Sequence, residues 1–189
     1  MIAAIHQPNF CPWFPFFYKM AMADKFIILN NVQFEKNGYQ NRFKYKDKWV
    51  TKSIMNDSMH TKIIDKKYAT GRSLNDLNMS WINVIKDTLE IDTEIVFSQY
   101  NEPCSPTERL IHEIKLAGCD TYLTNPDAKN KYLDENIMNY NGIDVKYCKV
   151  PAHLNKHTFE ILEEFGIDGA IKQLKGLNEK STSVLQLSK

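Results

Sequence analysis

Two short apolar segments near the N-terminus, each followed directly by polar side chains, constrain the fold of this chain most strongly. Residues 1–5 and 26–29 have the length and composition of buried strands. Between them, residues 14–23 form an aromatic and apolar segment that is long enough for a short helix. Strand, helix and strand in this order form the unit from which α/β proteins build a parallel sheet. The sequence therefore predicts an α/β fold.

Polar side chains follow both predicted strands at the point where each strand ends. The first strand is followed by His6, Gln7 and Asn9, and the second by Asn30 and Gln33. Loops after parallel strands meet at one edge of the sheet, where α/β proteins bind their ligands. Core packing gives no reason to place so many polar groups at the ends of buried strands. We expect these five side chains to line a substrate site.

Three prolines restrict the loop that carries the first polar group. Pro8, Pro12 and Pro15 fix their own φ angles and limit the residue before each of them. A loop restricted in this way presents its side chains at little entropic cost when a ligand binds. The aromatic residues nearby have a spacing more typical of core packing than of ligand contact, and they are Trp13, Phe14, Phe16 and Phe17.

Strand and helix patterns alternate along the rest of the chain. Further strands are predicted over residues 49–54, 94–97, 121–124 and 144–148. Helices are predicted over 74–89, between Pro106 and Gly118, over 127–140, and in two segments after Pro151 that are broken at Gly166. Residues 56–73 show no clear period and are predicted to form a mobile loop. Together these patterns predict a single Rossmann-like domain over residues 1–189, with a mostly parallel sheet flanked by helices.

Two of the predicted helices carry specific signals. Ser105 is an N-cap whose capping box is completed by Glu108, and Gly118 closes the same helix. The helix over 74–89 places a set of apolar residues on one face. These residues are Leu74, Leu77, Trp81, Val84, Ile85 and Leu89. We expect that face to pack against the core.

A third polar loop follows the strand predicted over 121–124. It brings Thr124 and Asn125 to the same edge of the sheet as the first two loops. Asn41 and Arg42 come shortly after the second loop. The sequence therefore predicts that these four residues bind substrate together with the polar groups after the first two strands.

Arg42 is the guanidinium that the sequence places near this cluster, and a guanidinium suits a phosphate or a carboxylate. Lysines and aromatic residues alternate after it as far as residue 52. That run fits either a half-exposed strand pair with solvated lysines or the recognition of an anionic, phosphorylated substrate. The alternative for Arg42 is an ion pair with Asp24 or Glu35 that braces the two loops.

His6 is the one titratable group of the polar cluster whose ordinary pKa lies near neutrality. It is therefore the predicted general base for deprotonating an amine nucleophile. The alternative is a histidine hydrogen-bonded within its loop for structure alone. His153 and His157 have the i, i+4 spacing of a two-histidine metal site. No third ligand and no helix before His157 are indicated, so no metal site is predicted.

Charge and cysteine content exclude several classes of protein. The 24 Lys and Arg residues nearly balance the 23 Asp and Glu residues, so a nucleic-acid-binding surface is not expected. The four cysteines lie far apart without a C-x-x-C pair, which argues against a zinc ribbon and a disulfide framework. No signal peptide, membrane span or cofactor motif is recognised. We expect a cytoplasmic protein with reduced thiols.

The residues from His6 to Arg42 carry a family resemblance. The strings HQPNFCPW, FIILNNVQFEK and GYQNR are similar to the opening signature of the WbqC-like family. Two later strings, CDTYLTNPDAKNKYLDE and HTFEILEEFG, resemble later parts of the same family pattern. The likeness therefore spans nearly the whole chain.

The resemblance implies a function in surface polysaccharide biosynthesis, because the family recurs in bacterial O-antigen gene clusters. It implies transfer of an acyl or aminoacyl group to the amine of a nucleotide-linked amino sugar, from an activated acyl donor that the sequence does not identify. The alternative is a non-catalytic sugar- or nucleotide-binding protein of the same pathway.

The chain departs from the family pattern at three places. Asn30-Asn31 stands where an acidic pair is expected, and Pro15 where glycine is expected. Residues 125–127 stand where small, glycine-rich residues are expected. If the family's carboxylates act as bases or metal ligands, this chain lacks them at the second loop.

A fainter resemblance concerns the fold. The order of elements up to residue 34 is similar to that in pantothenate synthetases and other nucleotidylyltransferases. The place of their His-x-Gly-His motif is held here by residues 9–12, which contain no histidine. The likeness supports a Rossmann-like architecture and argues against adenylyl transfer.

Overall fold

A parallel sheet forms the centre of the computed structural model, which describes residues 1–54 and 73–184, with side chains as far as residue 176. The strands are β1 (Ile2–His6), β2 (Lys25–Ile28), β3 (Arg42–Tyr45), β4 (Lys48–Thr51), β5 (Glu94–Phe97), β6 (Thr121–Thr124) and β7 (Asp144–Tyr147). The sheet has the order β5-β2-β1-β6-β7, and each neighbouring pair is parallel. β3 and β4 form a separate antiparallel hairpin.

The helices connect these strands. They are α1 (Phe14–Ala21), α2 (Leu74–Thr88), α3 (Pro106–Leu116), α4 (Glu135–Tyr140) and α5 (Thr158–Val184), with short 3-10 turns at Pro126–Asn130 and Ala152–Leu154. Within α5, Gly166 has φ 68° and ψ 176°, which is not helical. The predicted break at Gly166 is therefore confirmed. In the part of the chain described here, no helix has the length and apolar character needed to cross a membrane.

Apolar residues of the sheet alternate between two buried clusters, as the two faces of a strand require. Ala4 and Phe26 pack with side chains of α1, α2 and α5. Ala3, Ile5 and Ile27 pack with side chains of α3 and α4. Helices therefore cover both faces of the parallel sheet, and the predicted α/β class is confirmed.

The direction of the strand order reverses between β1 and β6. From β1 the chain builds outward through β2 to β5, then returns to the other side of β1 and adds β6 and β7. In open α/β sheets the crevice at the carboxyl ends of the strands at this reversal binds ligands. The fold thus places a crevice beside His6, the last residue of β1, and Thr124, the last residue of β6.

Several predicted elements are confirmed closely, and others are shifted. β5 and β6 have the predicted bounds, and α3 begins with the predicted capping box at Ser105. The strand predicted over 49–54 is β4, and the basic run forms the predicted strand pair, in which β4 is exposed along its length. The loop predicted over 56–73 lies, apart from Ser73, outside the described residues.

Two predictions about helices are wrong in detail. The helix predicted over 127–140 is a 3-10 turn followed by α4, because Asp134 caps a new helix by accepting from two backbone N–H groups. In α2, Val84 is 58% exposed whereas Ile82 is fully buried. The buried face is rotated because it takes in Asn78, which donates to two backbone carbonyl oxygens.

Candidate functional site

Two adjoining cavities of about 390 Å³ each open at the carboxyl ends of β1 and β6. Their size lies in the range of roughly 300–1,000 Å³ that small-molecule sites have. The first, the Trp13 cavity, is also lined by Asn9, Tyr39 and Asp127. The second, the Arg109 cavity, is also lined by Leu29, Leu110, Tyr122 and Tyr132. His6, Lys19 and Asn125 line both and form the wall between them.

The structure brings part of the predicted site together at these cavities. Asn9 lines the Trp13 cavity, and Gln7 and Thr124 line the Arg109 cavity. His6 and Asn125 line both. The loops after β1 and β6 therefore meet as the sequence predicts, because β1 and β6 are neighbours in the sheet.

The other predicted residues lie elsewhere. Within the described residues, the walls of these two cavities do not include Asn30, Gln33, Asn41 or Arg42. Asn41 Nδ2 donates to the carbonyl oxygen of Lys52, 3.0 Å away, and so holds the hairpin. The separation has a structural cause, since the chain after β2 leaves the sheet to form β3 and β4.

Arg42 belongs to the hairpin. Its guanidinium carbon lies 4.0 Å from the ring centroid of Trp49, and its Nη2 donates to the carbonyl oxygen of Asn37. Among the described residues it forms no ion pair with Asp24 or Glu35, so that alternative is not realised. A guanidinium on an aromatic face is instead held by a cation–π contact.

His6 ends β1 with its ring half-buried between the two cavities. Its Nδ1 lies 2.9 Å from the carbonyl oxygen of Gln7. A carbonyl oxygen only accepts, so Nδ1 carries the proton and Nε2 keeps a lone pair. Burial, with the positive charge of Lys19 as a second cause, lowers the pKa of His6 to about 3. The pKa near neutrality expected from the sequence is therefore wrong, and the imidazole is neutral at physiological pH.

Lys19 is the site residue that sequence reasoning missed most clearly. It lies in α1, is only 4% exposed, and donates from Nζ to the carbonyl oxygen of Ile5 at 3.3 Å. Burial lowers its pKa to about 8. None of the described carboxylates lies within ion-pair distance of it. A lysine between Tyr18 and Met20 in an otherwise aromatic and apolar helix was the available signal.

The loop after β1 is held by neighbouring elements. Gln7 Oε1 accepts from Gln40 Nε2 at 2.7 Å. Asn78 Nδ2, fully buried in α2, donates to the carbonyl oxygens of Pro8 at 2.7 Å and Gln40 at 2.8 Å. These bonds fix the position of the loop before any ligand arrives. The orientation of His6 is therefore preorganised.

The same loop is also attached to the start of α5. His157 donates from Nε2 to the carbonyl oxygen of Cys11 at 2.9 Å and accepts at Nδ1 from Phe159 N–H. Thr158 Oγ1 donates to the carbonyl oxygen of Pro12 at 2.7 Å. Burial lowers the pKa of His157, which keeps the neutral form that these two bonds require. His157 thus acts as a structural residue that fixes the loop.

Arg109 was also missed, because its position depends on which strands become neighbours. It lies in α3, and its Nη2 donates to Asn31 Oδ1. Ser98 Oγ and the carbonyl oxygen of Tyr100 each lie 3.4 Å from the same nitrogen. Asn31, at the position where the family pattern suggests a carboxylate, therefore orients a cation of the cavity wall.

These features define an α/β protein with two adjoining cavities at the reversal point of a parallel sheet. The model of the WbqC-like protein family matches residues 7–70 and 58–161. The match covers more than half of the chain, so this chain belongs to the WbqC-like protein family.

One relative comes from Mycobacterium tuberculosis. The chain is 25% identical over 228 residues to the uncharacterized protein Rv1507c of that organism, with 97% of this chain and 91% of that protein aligned. No solved structure matches the chain.

Proposed function

We propose that this protein transfers an acyl or aminoacyl group to the amine of a nucleotide-linked amino sugar in O-antigen or other surface polysaccharide biosynthesis. The observation that carries the proposal is the shared wall of the two cavities. Substrates in adjoining cavities meet at His6 and Lys19, a neutral imidazole and a buried ammonium. Transfer between two bound molecules requires such a meeting point.

The transfer step uses both groups. The amine nitrogen attacks the acyl carbonyl carbon, the new C–N bond forms, and the bond to the leaving group breaks with its electron pair. His6 Nε2 accepts the proton that the nitrogen loses. The carbonyl oxygen carries negative charge in the tetrahedral intermediate, and the Lys19 ammonium stabilises it.

The weak basicity of His6 in the free protein fits this sequence of events. Burial is the largest cause of the low pKa of His6, and the charge of Lys19 is the second. Negative charge on the carbonyl oxygen offsets that positive charge, so the imidazole becomes more basic as the intermediate forms. The base is therefore strongest at the stage when the proton has to leave.

The remaining polar residues of the cavities suit the substrate. Gln7, Asn9, Thr124 and Asn125 supply amide and hydroxyl groups that hydrogen-bond sugar hydroxyls. Binding by Asn30, Gln33, Asn41 or Arg42 would need a ligand that extends beyond these cavities.

Incubation of the purified protein with amino-sugar nucleotides and activated acyl donors tests the proposal. We expect a product heavier than the acceptor by one acyl group, with the added mass on the sugar. Omission of the protein is the control for uncatalysed acylation. Binding of the acceptor without product from thioester, acyl phosphate or acyl adenylate donors would contradict the enzyme assignment.

A non-catalytic sugar- or nucleotide-binding protein of the same pathway is the second candidate. The low pKa of His6 favours it, because a weakly basic imidazole is suited to accepting a hydrogen bond from a ligand hydroxyl. In that case His6→Ala weakens ligand affinity, and no variant or donor yields a covalent product.

A further inference from the structure

We infer that the Arg109 cavity is a phosphate-binding subsite, in which Arg109 and Lys19 hold the phosphoryl oxygens of a nucleotide. The inference rests on the proposed function and names the part of the site that binds the charged portion of a substrate. Two substrates of the transfer can carry such a group, namely the amino-sugar nucleotide and a nucleotide-linked acyl donor.

The charge of the cavity wall is the first argument. Arg109 and Lys19 both line this cavity, and the described residues of its wall include no carboxylate. Lys19 is only 4% exposed and has only a backbone carbonyl as hydrogen-bond partner among the described residues. A buried cation without a counter-charge favours an anionic ligand.

Glu113 pairs with Arg109 from outside the wall of the cavity. It is 2% exposed and accepts from the hydroxyl of Ser98 and from the backbone N–H groups of Gln99 and Tyr100. Its Oε1 lies 3.9 Å from Arg109 Nη2, beyond hydrogen-bond distance. The carboxylate thus anchors the loop after β5 and forms a long ion pair with Arg109, while Lys19 has no carboxylate partner among the described residues.

The geometry of Arg109 is the second argument. All of its side-chain hydrogen bonds to described residues come from Nη2, and Asn31 provides one of the acceptors. An amide fixes the guanidinium without neutralising it. Nη1 is then left for a phosphoryl oxygen, which a guanidinium binds with directed, charge-assisted hydrogen bonds.

The Trp13 cavity has a different character. Its wall includes the carboxylate of Asp127, which pairs with Lys131, and the rings of Trp13 and Tyr39, which lie 5.7 Å apart at 90°. A carboxylate and aromatic faces suit an amino sugar, with its ammonium and its apolar ring faces. The two cavities therefore separate a sugar-binding part from an anion-binding part, with Lys19 between them.

Calorimetric titration of the full chain tests this subsite. The probes are inorganic pyrophosphate, uridine diphosphate and coenzyme A, with uridine as the phosphate-free comparison. Arg109→Gln removes the charge but keeps a polar amide at this position. Lys115→Met removes a lysine from the exposed end of the same helix and is the matched control.

We expect Arg109→Gln and Lys19→Met to weaken the binding of phosphate-bearing probes by about tenfold or more, as loss of a charged hydrogen bond predicts. Lys115→Met should bind them like the wild type, and uridine should bind equally to all four proteins. Preference for coenzyme A would assign the phosphate to the acyl donor. Preference for uridine diphosphate would assign it to the amino-sugar nucleotide, which would then occupy both cavities and contradict the meeting of two substrates at their shared wall. Thermal melts show that each variant is folded, and Arg109→Lys, with intermediate affinity, replaces Arg109→Gln if that variant is not.

Two outcomes would overturn the subsite. One is the absence of phosphate-probe binding to the wild type, and the other is equal affinity in the wild type and Arg109→Gln. The subsite and the proposed enzyme function can each fail without the other. Phosphate binding that depends on Arg109 without any acyl transfer would keep the subsite and refute the enzyme. Acyl transfer with an unchanged KM in Arg109→Gln would keep the enzyme assignment and refute the subsite.

Discussion

Lys19 lowers the stability of the folded protein because its charge is buried in the proposed site. Its pKa is lowered from 10.5 to about 8, so the charged form is disfavoured in the folded protein by about 3 kcal/mol. For a group whose pKa is lower in the folded state, this penalty is complete below the folded pKa. It disappears as the pH rises from about 8 to 10.5.

Lys19→Met is therefore expected to stabilise the protein at neutral pH, by up to about 3 kcal/mol. The gain should shrink as the pH rises towards 10.5, because the wild-type lysine then becomes neutral in both states. Chemical denaturation at neutral pH measures the gain in stability, and denaturation at pH 10.5 measures how far the gain has shrunk. Lys115→Met is the exposed control. A variant less stable than the wild type at neutral pH would show that the bond to Ile5 outweighs the buried charge.

The pH dependence of the rate provides a second prediction for these residues. Because the pKa of His6 is about 3, kcat/KM should show no titration near 6.5. It should fall as the pH rises through about 8, where Lys19 loses its proton. In Lys19→Arg, which stays charged, that alkaline fall should be absent. A wild-type transition near 6.5 that does not move when the pKa of the acceptor amine is changed would contradict the environment assigned to His6.

Arg42 and Arg109 show what residue-level reasoning could and could not provide. The sequence places Arg42 next to the polar motif, whereas the structure stacks it on Trp49. Arg42→Ala should cost about 0.5–1 kcal/mol of stability, the usual size of an exposed cation–π contact. It should leave phosphate affinity unchanged in the titrations described above. Weaker phosphate binding without a change in stability would restore the role predicted from the sequence.

At the level of elements, local signals predicted what local physics decides. The strands β5 and β6 and the capping box of α3 were predictable because short apolar runs and a Ser-Pro-x-Glu pattern are visible in the local sequence. The start of α4 and the buried face of α2 were not predictable from local patterns. Both depend on polar side chains, Asp134 and Asn78, whose hydrogen bonds an apolar pattern does not reveal.

Asn78 of α2 braces the loop after β1 through two buried hydrogen bonds. Asn78→Ala should destabilise the protein by about 1–3 kcal/mol, since two buried carbonyl oxygens lose their donor. It should also raise KM, because the loop after β1 is less firmly held. Asn83→Ala, an exposed position of the same helix, is the matched control for chemical denaturation and kinetics. Equal stability of the two variants would show that Asn78 does not brace the loop.

At the level of the whole molecule, the order of the strands decides which residues meet. The sequence predicts parallel strands, and the loops after β1 and β6 meet as expected because these strands are neighbours. It does not show that the strand pair after β2 lies outside the parallel sheet or that α3 brings Arg109 to the crevice. Such contacts join residues that are far apart in the sequence, as Asn31 and Arg109 are, and no local pattern indicates that the two residues meet.

The central claim is that acyl transfer takes place at the wall that His6 and Lys19 form between the two cavities. The most direct measurement is the transfer rate of His6→Ala, with acceptor affinity and melting temperature determined on the same preparation. His153→Ala, an exposed histidine on a 3-10 turn, is the control. The account predicts a rate lowered by about 100-fold or more, with folding and acceptor binding largely kept. An unchanged rate in His6→Ala would contradict it.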